Sequence, residues 1–247
     1  MPRGLFPACA AAFAACAGRP QAGPPPIRPG IVVWNVGINQ KEGPSPLVET
    51  ILPATHEGRD VWRVVHRDAD PTSEGAAAYY DMYDIDRATL APLRTVTSRE
   101  GFSLALTFAG DKVTIDVREG DERRRTEVEV KDPMPEGPGE GVFLESLPLR
   151  EGYRKRFVIV DRWDENRRVK EMELVVGAAD TIVTPLGRCP VLEVTIAPLD
   201  GSFRIREWVA REPPHRPLRT EYMRGELDVT SDVARLVFAD GPPPCAP

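Results

Sequence analysis

Apolar and polar residues alternate along most of the chain, which is the period of β-strands that bury one face. The clearest case is the run 102–108, in which Phe102, Leu104, Leu106 and Phe108 alternate with small or polar residues. A similar run over residues 31–39 places the start of the folded region at about residue 30. No stretch has the length and period of a substantial helix. The pattern therefore predicts an all-β chain with little helix.

The segment 147–223 predicts a continuous antiparallel meander in which short turns join each strand to the next. Asp200-Gly201 is among the strongest hairpin signals that a sequence can carry. Residues 177–180 interrupt the alternation, so residues 182–184 are predicted as a short separate strand. Residues 227–230 and 233–238 are predicted as a last hairpin. We take this meander as the centre of the fold.

A sheet of about a dozen strands must curl or split into packed layers. The prediction is one antiparallel β domain over residues 30–238, a large curved meander that forms a half-barrel or a barrel-like shape with an apolar concave face. Its two strand-rich halves are joined near residues 133–141, where Pro and Gly abound and no period is visible. Two halves that each resemble a β-sandwich are the alternative. Residues 142–147 fit either one helical turn or a short strand.

Four short motifs follow one another in the meander: LPL-x-x-G-Y at residue 147, PLG-x-C-x-V-x-x-V at residue 185, WVA at residue 208 and P-x-R-x-E-Y at residue 217. In this order they resemble a bacterial family, the domain of unknown function 3108. The resemblance implies a curved sheet similar to that of the periplasmic lipoprotein carriers, which holds acyl chains. It also implies a place in the cell envelope. A shared fold does not imply a shared reaction.

Residues 1–16 have the features of an export signal. Arg3 gives a positive start, and residues 5–15 form an apolar stretch that is too short to cross a bilayer. Residues 13–16 resemble a bacterial lipobox, which implies cleavage before Cys16 and lipidation of its thiol. A plain signal peptide cleaved after Ala17 or Gly18 is the alternative. Residues 17–29 are rich in Pro, Gly and Ala and predict a flexible tether between lipid and domain.

Cysteine usage agrees with export to an oxidising compartment. If Cys9 is removed and Cys16 is acylated, Cys189 and Cys245 remain, and an even pair can form one disulfide. That bridge would tie the Pro-rich tail, residues 239–247, to the turn before Val191. Two unpaired thiols are the alternative.

Charge and motifs exclude several classes of function. The net charge of -6 argues against nucleic acid, whose binders present a basic face. The sequence contains no nucleophile elbow, Walker loop or dinucleotide fingerprint, so we predict no catalytic residue and no cofactor. His56, His66 and His215 match no zinc spacing, and we predict no metal site. We expect the histidines on the strands to face solvent.

Two charged clusters have open interpretations. The acidic group Asp81, Asp84 and Asp86 lacks the spacing of a calcium loop and is predicted as a solvated strand edge. Residues 154–156 are basic, with the basic pair 167–168 opposite across a hairpin. They could face anionic lipid head groups, or they could charge a strand edge against aggregation.

Four tryptophans, Trp34, Trp62, Trp163 and Trp208, are candidate walls of a ligand cavity, with a role as core residues as the alternative. We expect a non-enzymatic lipoprotein of the periplasm, attached to the membrane through its N-terminal lipid anchor. Its concave sheet would bind a lipid, an acyl chain or another hydrophobic ligand. A structural or interaction module that docks an envelope protein partner is the alternative. An envelope hydrolase is favoured least.

Overall fold

The computed structural model describes residues 27–39, 41–42, 46–68, 79–166, 168–238 and 245. In this part of the chain, strands alternate with short turns and a single helix interrupts them. The elements are β1 (Gly30–Ile38), β2 (Lys41–Glu42), β3 (Leu47–His56), β4 (Arg59–Asp68), β5 (Tyr80–Asp86), β6 (Pro92–Arg99), β7 (Phe102–Ala109), β8 (Lys112–Glu119), β9 (Glu122–Glu129), α1 (Pro138–Ser146), β10 (Arg154–Val160), β11 (Val169–Thr184), β12 (Gly187–Pro198), β13 (Arg204–Ala210), β14 (Pro217–Arg224) and β15 (Leu227–Phe238).

All the described strands belong to one antiparallel sheet of 15 strands. Each strand pairs with the next along the chain from β3 to β9 and again from β10 to β15, and β1 lies between β3 and β15. The short strand β2 is attached to β1. The chain therefore builds one half of the sheet outwards from β1. It then crosses through α1 and builds the other half back to β1.

The sheet curls so that its two end strands approach each other. No ladder joins β9 to β10 within the described residues, so the sheet is not closed. Pro133, just after β9, nevertheless bridges to Val158 of β10. Val160 of β10 packs in one cluster with Leu106 of β7 and Ile115 of β8. The predicted curved all-β meander is confirmed, in the form of one sheet and not two sandwich-like halves.

Helix α1 lies inside the curve of the sheet. Val142 packs with Ile51 and other residues of the first half, while Phe143 and Leu144 pack with Leu174 and other residues of the second half. These three successive helical residues are at most 2% exposed. Since successive residues of a helix point in different directions, sheet or loop surrounds this turn on several sides. The helix therefore fills part of the hollow and joins the two halves.

The strand register aligns the interior residues of the first half into rows. One row is apolar at its start, with Ile51, Val64 and Tyr83 as successive partners on β3, β4 and β5. A second row, which is polar, lies two residues away along each strand and therefore on the same face of the sheet. Its members are Glu49, His66, Asp81 and Thr97. The pairing thus brings polar side chains into the hollow.

A disulfide joins Cys189 of β12 to Cys245. Both sulfur-bearing residues belong to a cluster that also contains Val191, Trp208 and Leu218. This cluster lies on the outer face of the sheet, because Trp208 alternates with Glu207, which lines the hollow. The bridge therefore fixes Cys245 to the outside of the second half.

Two of the predicted strand boundaries are wrong. Residues 177–180 do not end a strand, because only Gly177 and Ala178 form a bulge, pairing resumes at Ala179, and β11 continues to Thr184. No turn divides β15, because Ser231 and Asp232 pair with both neighbouring strands. The predicted joint at residues 133–141 includes the start of α1.

Within the described residues, no helix is long and apolar enough to span a membrane. The predicted signal peptide with Cys16 lies outside these residues, as do most of the tether and most of the tail.

Candidate functional site

A cavity of about 760 Å³ lies between the second half of the sheet, α1 and the polar row of the first half. One wall is apolar and comes from alternate residues of β10, β11, β13 and β15. Its members include Ile159, Met172, Ile205 and Val229. Small-molecule sites have volumes of roughly 300–1,000 Å³ and are mostly apolar, so this cavity has the size of a ligand site.

The opposite end of the cavity is polar and centres on Arg162, in the loop between β10 and β11. Its Nη2 donates to Asp81 Oδ2 at 3.0 Å, and its Nη1 donates to Thr97 Oγ1 at 2.7 Å. Its Nε lies 3.1 Å from Glu136 Oε1. Asp81 also accepts hydrogen bonds from the hydroxyls of Tyr79 and Tyr83. One buried arginine thus connects the second half of the sheet to β5 and β6 and to the segment that precedes α1.

A second buried arginine, Arg216, holds the other end of the helix. It forms an ion pair with Glu145 of α1, and its Nη1 lies 3.9 Å from Glu49 Oε1 on β3. Its Nη2 donates to the carbonyl oxygen of Arg28 at 3.0 Å. Arg162 and Arg216 therefore tie both ends of the α1 segment to the two halves of the sheet.

Burial changes the protonation of several carboxyl groups around the cavity. Desolvation raises the pKa of Glu49 and that of Glu136 to about 7, although Arg216 and Arg162 oppose the shift. Desolvation, reinforced by the charge of Glu49, raises the pKa of Glu207 to about 8. Desolvation and the nearby Glu207 carboxyl hold the pKa of Glu140 well above its usual range. Near neutral pH, these four buried carboxyl groups are therefore protonated to a large extent.

The rim of the cavity is aromatic and basic. Trp163 is 45% exposed and stacks on Phe102, with ring centroids 6.0 Å apart. The guanidinium of Arg99, which is also exposed, lies 4.9 Å from the centre of the Phe102 ring. Arg224 pairs with Asp161 at 3.0 Å. Because exposed side chains line the cavity here, this rim marks its opening.

The four candidate tryptophans occupy different environments. Trp34 and Trp163 line the cavity. Trp62 packs in the cluster around Val142 and stacks under Arg87, so it is a core residue beyond the cavity wall. Trp208 lies on the outer face beside the disulfide. The wall prediction therefore fails for Trp62 and Trp208, because alternation decides which face a side chain occupies and tertiary packing decides where the cavity lies.

The histidines and the acidic group are also placed differently from the prediction. His66 lines the cavity, and desolvation lowers its pKa to about 4. His215 is 3% exposed, and its Nδ1 contacts the carbonyl oxygen of Ala210 at 3.0 Å. Asp81 and Asp84 are fully buried, where Arg162 and Arg63 pair with them. The predicted solvent exposure is wrong for His66, which lines the cavity, and for Asp81 and Asp84, whose buried charges are compensated by arginines distant in sequence.

The basic cluster of β10 is exposed and partly neutralised. Arg154 Nη2 lies 3.0 Å from Glu173 Oε2, and Arg156 Nε lies 3.5 Å from Glu173 Oε1.

Among the residues that the structure describes, no group of three or more His, Cys, Asp or Glu side chains is arranged to hold a metal ion.

Sequence reasoning missed the polar residues that shape the cavity: Arg162, Glu136, Glu140 and Glu207. A signal existed for one of them. Glu207 shares the face of Phe203, Ile205 and Val209, so it is a charged residue on an otherwise apolar face. The others lie in turns or in a Gly- and Pro-rich segment, where no period shows which way a side chain points.

Comparisons with known proteins give a family and a fold. A family described as "Protein of unknown function (DUF3108)" matches residues 48–229. A solved beta-barrel-like protein of domain of unknown function DUF1849 from Brucella abortus is 14% identical, with a TM-score of 0.54. The likeness covers 87% of this chain and 99% of that one. A comparison with curated proteins gave no match.

Two weaker likenesses have TM-scores that are too low to establish a shared fold. One is to a "putative lipoprotein" from Parabacteroides distasonis, at 11% identity and a TM-score of 0.34, over 88% of this chain and 100% of that one. The other is to a "putative exported protein with YmcC-like fold" from Bacteroides fragilis, at 14% identity and a TM-score of 0.31, over 86% of this chain and 97% of that one.

Proposed function

We propose a function for this chain from two premises: it belongs to the DUF3108 family, whose description names no activity, and its sheet encloses a cavity of ligand size. The family membership confirms the likeness that the motifs between residues 147 and 223 indicate. The proposed function is to hold a hydrophobic ligand, such as an acyl chain of a lipid, without chemical conversion.

The cavity of about 760 Å³ is the observation that carries this proposal. Its apolar wall comes from β10, β11, β13 and β15, so that a chain lying along it would contact side chains such as Met172, Ile205 and Val229. Ile159 and Met172 of this wall also pack in one cluster with Phe143, Leu144 and Leu174, which holds the wall in place. Removing apolar surface from water stabilises such a complex by roughly 25 cal/mol per Å².

A holding function agrees with the chemistry of the polar end. Arg162 and Asp81 are bound to each other and to neighbouring side chains, which is the arrangement of a structural network. His66, with its pKa lowered to about 4, is neutral near pH 7. These groups fix the shape of the cavity and its opening.

We also propose that the protein is exported and anchored to a membrane by a lipid on Cys16. The lipobox-like residues 13–16 and the tether support this address, and the Cys189–Cys245 disulfide favours an oxidising compartment. In cell fractions, Cys16→Ser should move the protein from the membrane to the soluble fraction. Cys9→Ser, the matched control, should leave it in the membrane. Equal distribution of both variants with the wild type would refute the anchor.

Ligand binding can be tested on protein purified without detergent. We expect native mass spectrometry to show bound hydrophobic molecules, which an organic solvent extracts and which lipid analysis identifies. Val229→Trp fills the apolar wall from β15 and should abolish most of this binding. Val237→Trp makes the same substitution on the same strand at a residue that is 43% exposed, and should bind as the wild type does.

The two variants separate a cavity ligand from surface-bound lipid. If Val229→Trp folds normally by circular dichroism and still carries the same molecules, the cavity is not their site. If the wild-type protein carries none and binds no added lipid, the proposed function is wrong.

A further inference from the structure

Two arginines of the cavity wall, one buried and one half-buried, are already paired with acidic side chains. Arg162 lies against Asp81 and Glu136, and Arg224 lies against Asp161. Arg99 is the remaining arginine among the described residues that line the cavity, which include no lysine, and it is exposed at the rim against Phe102. The buried part of the wall therefore has no further positive charge to offer an acidic neighbour.

Two acidic side chains of the same wall, Glu140 and Glu207, have no basic partner in the described part of the chain. They are 5% and 6% exposed, respectively. Glu207 Oε1 accepts a hydrogen bond from Thr220 Oγ1 at 3.5 Å, but Glu207 Oε2 is buried without a hydrogen-bond partner there. A buried carboxyl oxygen without a donor costs free energy, and a bound molecule that supplies the donor would recover it.

We propose that the cavity binds an amphiphile that carries an ammonium group. Its hydrocarbon chain would lie against Met172, Ile205 and Val229, and its ammonium group would lie between Glu140 and Glu207. An ammonium group has three donors and no acceptor, so it can bond to Glu207 Oε2 and to Glu140 while its charge compensates theirs. This inference rests on the proposed function and specifies the polar end of the ligand.

The electrostatics of the cavity agree with this assignment. Burial raises the pKa of both carboxyls, which favours their protonated, uncharged forms. A nearby opposite charge favours the ionised form of a carboxyl. An ammonium group would therefore displace protons from the Glu140 and Glu207 carboxyls and pair with the resulting charges. A carboxylate ligand would instead add a further negative charge.

The test compares three probes with the same hydrocarbon chain: dodecylamine, dodecanol and dodecanoate. Their affinities for the full chain are measured by isothermal titration calorimetry below the concentrations at which they form micelles. We expect dodecylamine to bind at least about tenfold more tightly than dodecanol, with dodecanoate weakest. Glu140→Gln and Glu207→Gln should each reduce this preference, and the double variant should remove it while dodecanol still binds.

Glu173→Gln is the matched control, because Glu173 pairs with Arg154 and Arg156 outside the cavity, and it should keep the full preference for the amine. Equal binding of dodecylamine and dodecanol by the wild type would overturn the inference but leave the proposed function standing. Persistence of the preference in the double variant would also overturn it. If none of the three probes binds, the proposed function itself fails.

Discussion

Two arginines, Arg162 and Arg216, carry positive charge into the interior of the sheet. Their side chains are at most 5% exposed, and each has carboxylate partners on elements that are distant in sequence. Such a pair gains little against a well-packed apolar alternative, but removal of one partner leaves a buried charge uncompensated. The two arginines therefore act mainly to fix which elements meet.

Replacing Arg162 by Met should reduce the free energy of unfolding by about 3–5 kcal/mol, because Asp81 would lose its charged partner. Chemical denaturation measures this loss. Arg125→Met is the control, since Arg125 and Asp116 form an exposed pair at 3.8 Å. Its expected effect is within about 1 kcal/mol. Adding Asp81→Asn to Arg162→Met should recover part of the loss, and a loss as small as that of the control would contradict the role of Arg162.

Glu207 should make the protein less stable as the pH rises. Burial raises its pKa to about 8 from the ordinary value of 4.5, so the folded state binds more protons than the unfolded state between these values. Stability is therefore lost as the pH rises through this window, and Glu49 and Glu136 act in the same direction up to about pH 7. His66, with its pKa lowered to about 4, opposes them only below about pH 6.5.

Replacing Glu207 by Gln should remove its part of this loss of stability at rising pH. Between about pH 6.5 and 8, the wild type should lose stability, by about 1 kcal/mol per pH unit for each group that titrates there. The variant should lose less and should exceed the wild type in stability at the upper end. Urea midpoints across this range measure the difference, and parallel pH profiles would show that Glu207 does not titrate as described.

Helix α1 could not be predicted from the pattern of apolar and polar residues. An amphipathic period marks a helix with one buried face. In α1, Val142, Phe143 and Leu144 are buried in succession because the helix lies inside the hollow, and two glycines occupy its first half. The sequence of α1 therefore shows no amphipathic period. The strands were predictable because most of them bury a single face.

Gly139 of α1 is required by close packing. A Cβ atom there would lie 2.9 Å from Pro135 Cβ and 3.1 Å from Tyr83 Cδ1. Because a proline ring cannot rotate away, Gly139→Ala should destabilise the protein by about 1–2 kcal/mol, despite the better helix propensity of alanine. Gly177→Ala is the control, since its Cβ would meet Glu193 O at an ordinary 3.6 Å. Equal unfolding midpoints for both variants would argue against tight packing of α1.

At the scale of the whole molecule, the sequence predicted the curved sheet and its family but not the content of the hollow. The hairpin signal at Asp200-Gly201 was correct, and Gly201 adopts the positive φ that such a turn favours. Bulges hid the continuity of β11 and shifted the register of β1 against β15. The pairing of Arg162 with Asp81 depends on the curl of the whole sheet, which no local pattern contains.

The disulfide should stabilise the whole molecule through the tail. Cys189 and Cys245 are separated by 56 residues, and a bridge across such a loop contributes about 2–4 kcal/mol. The Cys189→Ala/Cys245→Ala variant should lose this amount in chemical denaturation. Addition of a reductant should lower the stability of the wild type similarly and leave the variant unchanged. An insensitive wild type would show that the tail contributes nothing to stability.

The central claim is that a hydrocarbon chain lies inside the curved sheet. The most direct test is nuclear magnetic resonance with methyl-labelled methionine, because Met172 lines the cavity whereas Met82 and Met223 do not. On addition of dodecylamine or dodecanol, we predict magnetisation transfer between the ligand chain and the Met172 methyl group. Transfer confined to Met82 or Met223, or a Met172 signal that saturating ligand leaves unchanged, would contradict the claim.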